Sequence, residues 1–347
     1  MGTLWFCLLA WMIATYAVLD GYDLGAGALH LAIARTDAER RQVLASIGPL
    51  WDGNEVWLVA LGGTLFFAFP RLYASSFSGF YLPLMMVLWL LILRGIAIEL
   101  RGHVHDPLWW SLWDLIFMLA SGLLAWVFGV ALGNVLRGVA FDTSGGFFLA
   151  LWTDFGVSPP VGALDWYTTL IGLFSLLTLM HHGALWVALR TRGDLQDRAR
   201  RSARAVWPLV IAAGAAATFA TFHCEPQLSR NLARAPWGAV FPALAIGGLM
   251  AARVLTSRGR DHAAFFASAA SIAGMLASAA FGIYPNVLPS LGDPALALTI
   301  DNTLAGRHGL SLGLLWWTPG MLLAVAYSIY AHAKFSGKVE PADSSSQ

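Results

Sequence analysis

The sequence predicts an all-α protein that crosses a lipid bilayer about nine times. Of its 347 residues, 58% are hydrophobic and only 12% are charged, whereas a soluble domain carries about 25% charged residues. Sixteen tryptophans and twenty phenylalanines fit a protein with aromatic anchors at the membrane interfaces. Long apolar runs and a one-sided distribution of basic residues complete the prediction.

The apolar runs define the predicted spans. A bilayer crossing needs roughly 20 mostly apolar residues, and the sequence offers nine such segments: 4–32, 47–69, 74–100, 108–136, 163–190, 203–223, 236–255, 261–284 and 308–333. We expect one transmembrane domain over residues 1–338 and a polar cytoplasmic tail over 339–347. The first run lacks a basic leading region and is longer than a signal peptide, so no cleavable signal is predicted.

The basic residues predict the orientation. With the N-terminus outside, sixteen of the 21 Lys and Arg residues fall on the inner side, and the other five are Arg71, Arg137, Arg230, Arg234 and Arg307. Cytoplasmic loops carry such an excess of positive charge. We therefore predict a periplasmic N-terminus and a cytoplasmic C-terminus. An eight-span count would break the alternation, so the weakly apolar segment 47–69 is also expected to cross.

The remaining composition excludes several classes. A net charge of +1 gives no reason to expect nucleic acid as a partner. Cys7 and Cys224 both fall on the predicted outer side, but nothing in the sequence fixes the distance that a disulfide requires. There is no phosphate-binding loop, dinucleotide-binding glycine motif, His-Glu-x-x-His motif or haem-attachment motif. We interpret the pairs Gly25/Gly27 and Gly62/Gly63 as sites of close helix packing.

Charged residues inside the spans are costly and usually functional, and here they crowd the inner side. Asp20 and Asp23 lie deep in the first span with i, i+3 spacing, which puts them on one helical face. Asp52 and Glu55 share a face in the same way at the start of the second span. There the helix dipole favours carboxylates, and Pro49 suits the first helical turn.

The same layer continues in the next spans. Arg94 and Glu99 lie at the inner end of the third span, Asp114 lies two turns into the fourth, and His181 and His182 occupy the inner third of the fifth. The outer halves of the spans carry almost no charge. A layer of carboxylates and histidines at the inner mouth indicates a route by which protons reach the protein from the cytoplasm.

Each of these residues also has a purely structural interpretation. Arg94 could snorkel to the lipid headgroups, and Asp20 and Asp23 could form ion pairs with Arg94 or another cation. Asp52 and Glu55 could stabilise the start of their helix. His181 and His182 are predicted to be hydrogen-bonded packing residues, because neighbours on a helix project about 100° apart and cannot grip one metal. His103 and His105 are predicted to lie in a loop. No metal site is predicted.

Two sequence motifs carry a resemblance to a known family. Residues 21–27 read Gly-Tyr-Asp-Leu-Gly-Ala-Gly, and residues 51–57 read Trp-Asp-Gly-Asn-Glu-Val-Trp. Together they resemble the signatures of subunit II of the cytochrome bd oxidases. Weaker matches cover Phe80-Tyr81, Leu93-Arg94-Gly95, residues 129–134 and residues 284–290, so the resemblance runs in order from about residue 18 to residue 290. The segment 181–184, His-His-Gly-Ala, resembles the cyanide-insensitive branch of that family.

The resemblance implies a fold of two four-helix bundles plus one peripheral helix. It also implies a haem-free second subunit in a bacterial cytoplasmic membrane, paired with a subunit I that carries haem b and haem d. The complex oxidises quinol, reduces dioxygen to water and takes its protons from the cytoplasm. A small single-helix subunit is a further possible partner, membrane lipid surrounds the complex, and a quinone bound to this chain is left open.

The resemblance also assigns residues. Asp52 matches an acidic residue that lines a proton route at the subunit interface, and Asp23 matches the acidic position of the first signature. The proton-path candidates are Asp52, Glu55, Asp23, Asp20 and Asp114. The structural or interface candidates are Trp51, Asn54, Trp57, Arg94 and Glu99.

Two other functions remain open at this stage. A secondary transporter should have broken helices and polar groups near the bilayer centre, whereas the charges of this chain crowd the inner side. A purely structural scaffold would shield the haem-bearing subunit from lipid without carrying protons.

Overall fold

The structure, a computed structural model, describes residues 1–142 and 145–340. Its helices are α1 (Gly2–Ala28), α2 (His30–Ile33), α3 (Asp37–Ile47), α4 (Trp51–Ala68), α5 (Pro70–Gly79), α6 (Tyr81–Leu100), α7 (Pro107–Arg137), α8 (Trp166–Arg190), α9 (Gly193–Cys224), α10 (Pro226–Arg234), α11 (Val240–Ser257), α12 (Asp261–Ile283) and α13 (Arg307–Lys334). Strands β1 (Asn286–Leu288) and β2 (Leu298–Thr299) pair antiparallel.

Within the described residues, eight helices are long and apolar enough to cross a membrane: α1, α6, α7, α8, α9, α11 with its preceding 3-10 turn, α12 and α13. The ninth predicted span is α4, whose start is polar. Asn54 of α4 reaches the carbonyl oxygen of Leu19 at 3.1 Å, while Phe67 near its other end packs on Trp5 with ring centroids 5.6 Å apart. α4 therefore runs antiparallel to α1 through the same depth, so nine crossings follow if α1 crosses.

The helices form the two predicted bundles. One contains α1, α4, α6 and α7, and the other contains α8, α9, α11 and α12; α1 and α7 pack directly on α8. α13 lies outside and packs along α4. We call the end that holds α3 and the α8–α9 turn the inner end, and the opposite end the outer end.

Close backbone contact joins the two bundles. A Cβ atom at Gly25 would overlap the carbonyl oxygen of Leu179, and one at Gly183 would overlap the backbone nitrogen of Ala26. Gly27 likewise has no room beside Ser121. The packing role predicted for Gly25 and Gly27 is confirmed. The same prediction for Gly62 and Gly63 is wrong, since both face open space.

Several predicted boundaries differ from the structure. The predicted span 4–32 breaks at Leu29 into α1 and α2, and the predicted span 74–100 breaks at Phe80 into α5 and α6. Pro49 does not begin a helix. It lies in the turn after α3, because the non-helical backbone of Leu50 (φ −122°, ψ −26°) delays the start of α4 to Trp51.

The two ends are covered differently. At the outer end, residues 138–142, 145–165 and 284–306 form an apolar layer with the β1–β2 hairpin. At the inner end the chain after α13 packs against the end of α8. Lys338 donates to the carbonyl oxygen of Thr191 at 2.7 Å, and the backbone nitrogen of Val339 donates to the carbonyl oxygen of Arg190 at 2.8 Å. Most of the predicted tail, residues 341–347, lies outside the described residues.

Candidate functional site

Arg94 is the centre of a buried polar cluster near the inner end. Its side chain is fully buried. Nη1 donates to Asp20 at 2.7 Å, and Nη2 donates to Glu55. Asp20 also accepts a hydrogen bond from the Tyr16 hydroxyl at 2.8 Å. The ion-pair interpretation of Asp20 is thus confirmed, and the snorkelling interpretation of Arg94 is wrong, because two carboxylates hold the guanidinium inside the bundle.

Asp23 lies one turn further along α1 but is not held by Arg94. It is 1% exposed, and its Oδ2 accepts a hydrogen bond from Nδ2 of Asn54 at 2.8 Å. Its other oxygen, Oδ1, has no hydrogen-bond partner among the described residues. The ion-pair interpretation of Asp23 is wrong. Asp23 shares a helix face with Asp20, but at its position this face lies against the side-chain amide of Asn54 on α4 and not against a cation.

Asn54 connects Asp23 to α13. Its amide nitrogen lies 2.8 Å from the Tyr22 hydroxyl and 3.1 Å from the Leu19 carbonyl oxygen as well. The Tyr22 hydroxyl lies 3.0 Å from Nε2 of His332. Nδ1 of His332 lies 2.8 Å from the carbonyl oxygen of Ser328, which can only accept, so Nε2 is left to accept from Tyr22. Sequence analysis missed His332, since a histidine near the end of the last span resembles an interfacial residue.

Asp114 belongs to a second inner cluster. It is fully buried and accepts from His30 at 2.8 Å, from Arg101 at 2.6 Å and from Arg40 at 3.2 Å. Two guanidiniums and His30 bind this carboxylate, which favours a structural role in tying α2, α3 and α6 to α7. His30 was missed, although it lies two turns after Asp23 on the same side of the first span.

The other candidates lie closer to the surface. Asp52 is exposed in the first turn of α4 and forms no hydrogen bond or ion pair with the described residues. Glu99 is exposed, and only its backbone oxygen is engaged, by His103. Trp51 packs over Gly95. Trp57 is buried between α1 and α13 and donates to Ser328 at 3.3 Å.

The histidine predictions hold for His182, His103 and His105, whereas His181 is buried but forms no hydrogen bond with the described residues. His182 is buried and bonds Ser268 at 2.6 Å and the Val18 carbonyl oxygen at 3.1 Å, so it is a hydrogen-bonded packing residue. His103 and His105 lie in the connection between α6 and α7. Across residues 1–142 and 145–340, no group of three or more His, Cys, Asp or Glu side chains could hold a metal ion.

Two further features concern the ends of the bundle. The sequence analysis expects almost no charge in the outer halves of the spans, but Arg137 and Asp165 form a buried ion pair between α7 and α8 at the outer end. Asp165 also caps α8 by accepting from the Thr168 amide at 2.8 Å. At the inner surface, partial burial raises the pKa of the Glu39 carboxyl, but hydrogen bonds from Arg35, Thr36 and Arg198 outweigh it and hold that pKa below its usual value.

Comparisons with known proteins show which family and fold this chain resembles. The profile of the family described as "Cytochrome bd terminal oxidase subunit II" matches residues 1–335. The chain is 32% identical to "Probable cytochrome oxidase subunit 2" of Haemophilus influenzae, over 97% of this chain and 94% of that protein. It is 30% identical to "Cytochrome bd ubiquinol oxidase subunit 2" of Bacillus subtilis, over 97% of both. The fold is similar to a chain of the solved bd oxidase from Geobacillus thermodenitrificans, with a TM-score of 0.74, 18% identity and coverage of 95% and 96% of the two chains.

Proposed function

This chain belongs to the family of cytochrome bd terminal oxidase subunit II, and from that membership we propose that it is the haem-free second subunit of a membrane-bound quinol oxidase. The complex oxidises quinol and reduces dioxygen to water, and a haem-bearing subunit I is the partner. The observation that carries the proposal is the match over nearly the whole chain: the family profile covers residues 1–335, and a relative named as subunit 2 of a cytochrome bd ubiquinol oxidase aligns with 97% of the chain.

The hydrogen bonding of His182 supports assigning haem b and haem d to the partner. Haem iron needs an axial side-chain ligand. Both ring nitrogens of His182 are already hydrogen-bonded, so this histidine does not fit an iron ligand without breaking buried hydrogen bonds. We propose that this chain stabilises the haem-bearing subunit and presents its remaining apolar faces to lipid.

The first prediction tests the assembly. Purification of the tagged chain in mild detergent is expected to bring down a haem-bearing partner with a d-type absorption band. The chain expressed alone is expected to contain no haem. A folded, haem-free monomer that never acquires a partner and moves a solute across vesicles would instead support the transporter interpretation.

We also propose a periplasmic N-terminus and a cytoplasmic C-terminus. Four arginines from three parts of the chain lie at the inner end, where Arg40 and Arg101 bind Asp114, Arg198 binds Glu39, and Arg200 binds Asp261. This concentration of positive charge is typical of the cytoplasmic side. A reporter fused after Lys338 is expected to be active only in the cytoplasm. Activity confined to the periplasm would reverse the orientation.

The inner carboxylates are proposed to take part in proton uptake. Asp52 is an exposed carboxylate at the inner mouth and binds no cation among the described residues, so it is suited to collect protons and release them. Glu55 and Asp20 are less suited to receive them, because each is bonded to Arg94 and protonation would cost an ion pair. Asp23 is the buried carboxylate that no cation holds.

Replacement of Asp52 by Asn keeps the size of the side chain and removes its titratable group. The assembled complex is expected to keep its full haem content and to consume oxygen markedly more slowly, since a positioned proton-transfer group contributes roughly 10²–10⁴-fold to the rate of the step that it serves. Oxygen consumption per haem, measured across pH, checks this. Normal turnover would remove Asp52 from proton delivery, and haem content falling in step with activity would make it a structural residue.

A further inference from the structure

A tryptophan side chain bridges α9 and α11 near the inner end. Trp207 of α9 is half-buried, and its Nε1 donates to the carbonyl oxygen of Leu249 on α11 at 3.0 Å. Val206 and Val210 of α9 pack with Leu249 in the same cluster. Cζ of Arg253, one turn after Leu249 on α11, lies 6.0 Å from the centre of the Trp207 ring. The indole and this guanidinium are therefore held side by side where the two helices meet.

A second guanidinium lies beside the same indole on α9. Arg204 precedes Trp207 by three residues, so the two side chains share a helix face. Arg204 is exposed, and its Nε donates to the carbonyl oxygen of Arg200 at 3.3 Å, which directs the guanidinium toward the inner end. Among the described residues no carboxylate lies within ion-pair distance of Arg204 or Arg253, whereas Arg200 binds Asp261 at 2.6 Å. Two positive charges beside the indole thus lack a counter-charge in the described chain.

Each of these arginines stands at the inner end of a row of exposed apolar side chains. On α11, Met250 and Ile246 precede Arg253 by three and seven residues, which places all three on one helix face, and both apolar side chains are exposed. On α9, Ile211 follows Arg204 by seven residues and is also exposed. Both rows run from the inner end toward the middle of the bilayer. An anionic head with hydrocarbon chains would match this arrangement of charge and apolar surface.

We propose that the seam between α9 and α11 binds an anionic phospholipid from the leaflet at the inner end. By the α9–α11 seam we mean the residues Arg204, Trp207, Ile211, Ile246, Met250 and Arg253. The phosphate lies between the two guanidiniums, and the acyl chains lie along the three aliphatic side chains.

The chemistry of the α9–α11 seam favours an anionic lipid over a zwitterionic one. Guanidinium groups bind phosphate through paired N–H donors, and tryptophan is enriched at the level of the lipid headgroups. A zwitterionic headgroup brings its own cation to the phosphate and gains less from Arg204 and Arg253. An excess of arginine is expected at a cytoplasmic end, but that excess does not require two unpaired guanidiniums beside one fixed indole. The inference goes beyond the proposed oxidase function and does not depend on it.

The test is a lipid titration of the detergent-purified complex, with phosphatidylglycerol as the anionic probe and phosphatidylcholine as the zwitterionic one. Native mass spectrometry gives the apparent dissociation constant of each lipid. Phosphatidylglycerol is expected to bind the parent complex more tightly than phosphatidylcholine. Arg204→Gln combined with Arg253→Gln is expected to weaken phosphatidylglycerol binding about thirtyfold, because each arginine near an anionic lipid contributes about fivefold.

A matched double variant separates a site from general attraction to a basic surface. Arg192→Gln combined with Arg260→Gln removes the same two charges from exposed arginines at the inner end that lie outside the α9–α11 seam, and it is expected to leave phosphatidylglycerol binding unchanged. Equal weakening in the two double variants, or equal binding of the two lipids to the parent, overturns the proposal.

Two further measurements complete the test. If inorganic phosphate raises the thermal midpoint of the complex as much as phosphatidylglycerol does at the same concentration, the occupant is a free anion and the lipid site is overturned. Should the double variant at Arg204 and Arg253 fail to assemble, Arg204→Gln alone replaces it, since this side chain is exposed. The single variant is expected to weaken phosphatidylglycerol binding about fivefold, and parental affinity in it contradicts the proposal.

Discussion

Replacing Arg94 by methionine is expected to prevent assembly of the complex. The change leaves Asp20, which is fully buried, without the guanidinium that lies 2.7 Å from it. A buried charge whose partner is removed costs about 3–5 kcal/mol, a large share of a total stability of about 5–15 kcal/mol. Glu55 loses its partner as well, but it is half-buried and can reach water.

The loss of assembled complex is expected to come from the unpaired charge of Asp20 and not from the missing arginine side chain. The double variant Asp20→Leu with Arg94→Met removes both buried charges, and apolar replacement of a buried pair is often tolerated, so it is expected to recover much of the assembled complex. Arg258→Met, at an exposed arginine, serves as the control. The measurements are the yield of haem-bearing complex and its thermal midpoint in detergent. If Arg94→Met alone were as stable as the parent complex, Arg94 would not be stabilising Asp20.

The depth of each polar residue could be predicted from the sequence, but its partner could not. Apolar segment lengths place Asp20 and Arg94 both near the inner end. The rotation of each helix about its axis decides which groups meet, and a nearly uniform apolar sequence gives little information about that rotation. Snorkelling was therefore as reasonable for Arg94 as the ion pair that the structure contains.

The predictions that the structure contradicts also failed because the sequence does not give the orientation of each side chain. Gly62 and Gly63 form a small-residue pair, yet the pair faces open space, because α4 uses its other faces against α1, α6 and α13. The outer ion pair of Arg137 with Asp165 was missed because each residue stands at the end of a predicted span, where charges are common. The Asp165-x-x-Thr168 spacing does carry a helix-start signal, and attention to it would have identified the cap on α8.

The second large effect is expected at the contact between the two bundles. In the variant Gly25→Ala, the added Cβ atom meets the carbonyl oxygen of Leu179, and the nearest other atoms are backbone atoms of α8 as well. A flexible side chain could turn away, but a helix backbone cannot, so α1 and α8 must move apart. Overpacking usually destabilises a protein by about 1–3 kcal/mol, and we expect Gly25→Ala to cost at least the upper end of that range. The shift would also displace Asp23, two residues earlier on α1.

Gly63→Ala is the matched control for this variant, because it makes the same change in a spanning helix where no atom lies within 4 Å. Gly25→Ala is expected to lower the yield of haem-bearing complex severely, and Gly63→Ala is expected to leave it unchanged. Size-exclusion chromatography in detergent with the absorption of the haems compares the two. The reciprocal variant Gly183→Ala, on α8, should behave like Gly25→Ala, since its Cβ atom would meet the backbone of α1 at the same crossing. If both alanine variants assemble at the parental yield, the two helices tolerate a wider separation, and close glycine contact is not what holds the bundles together.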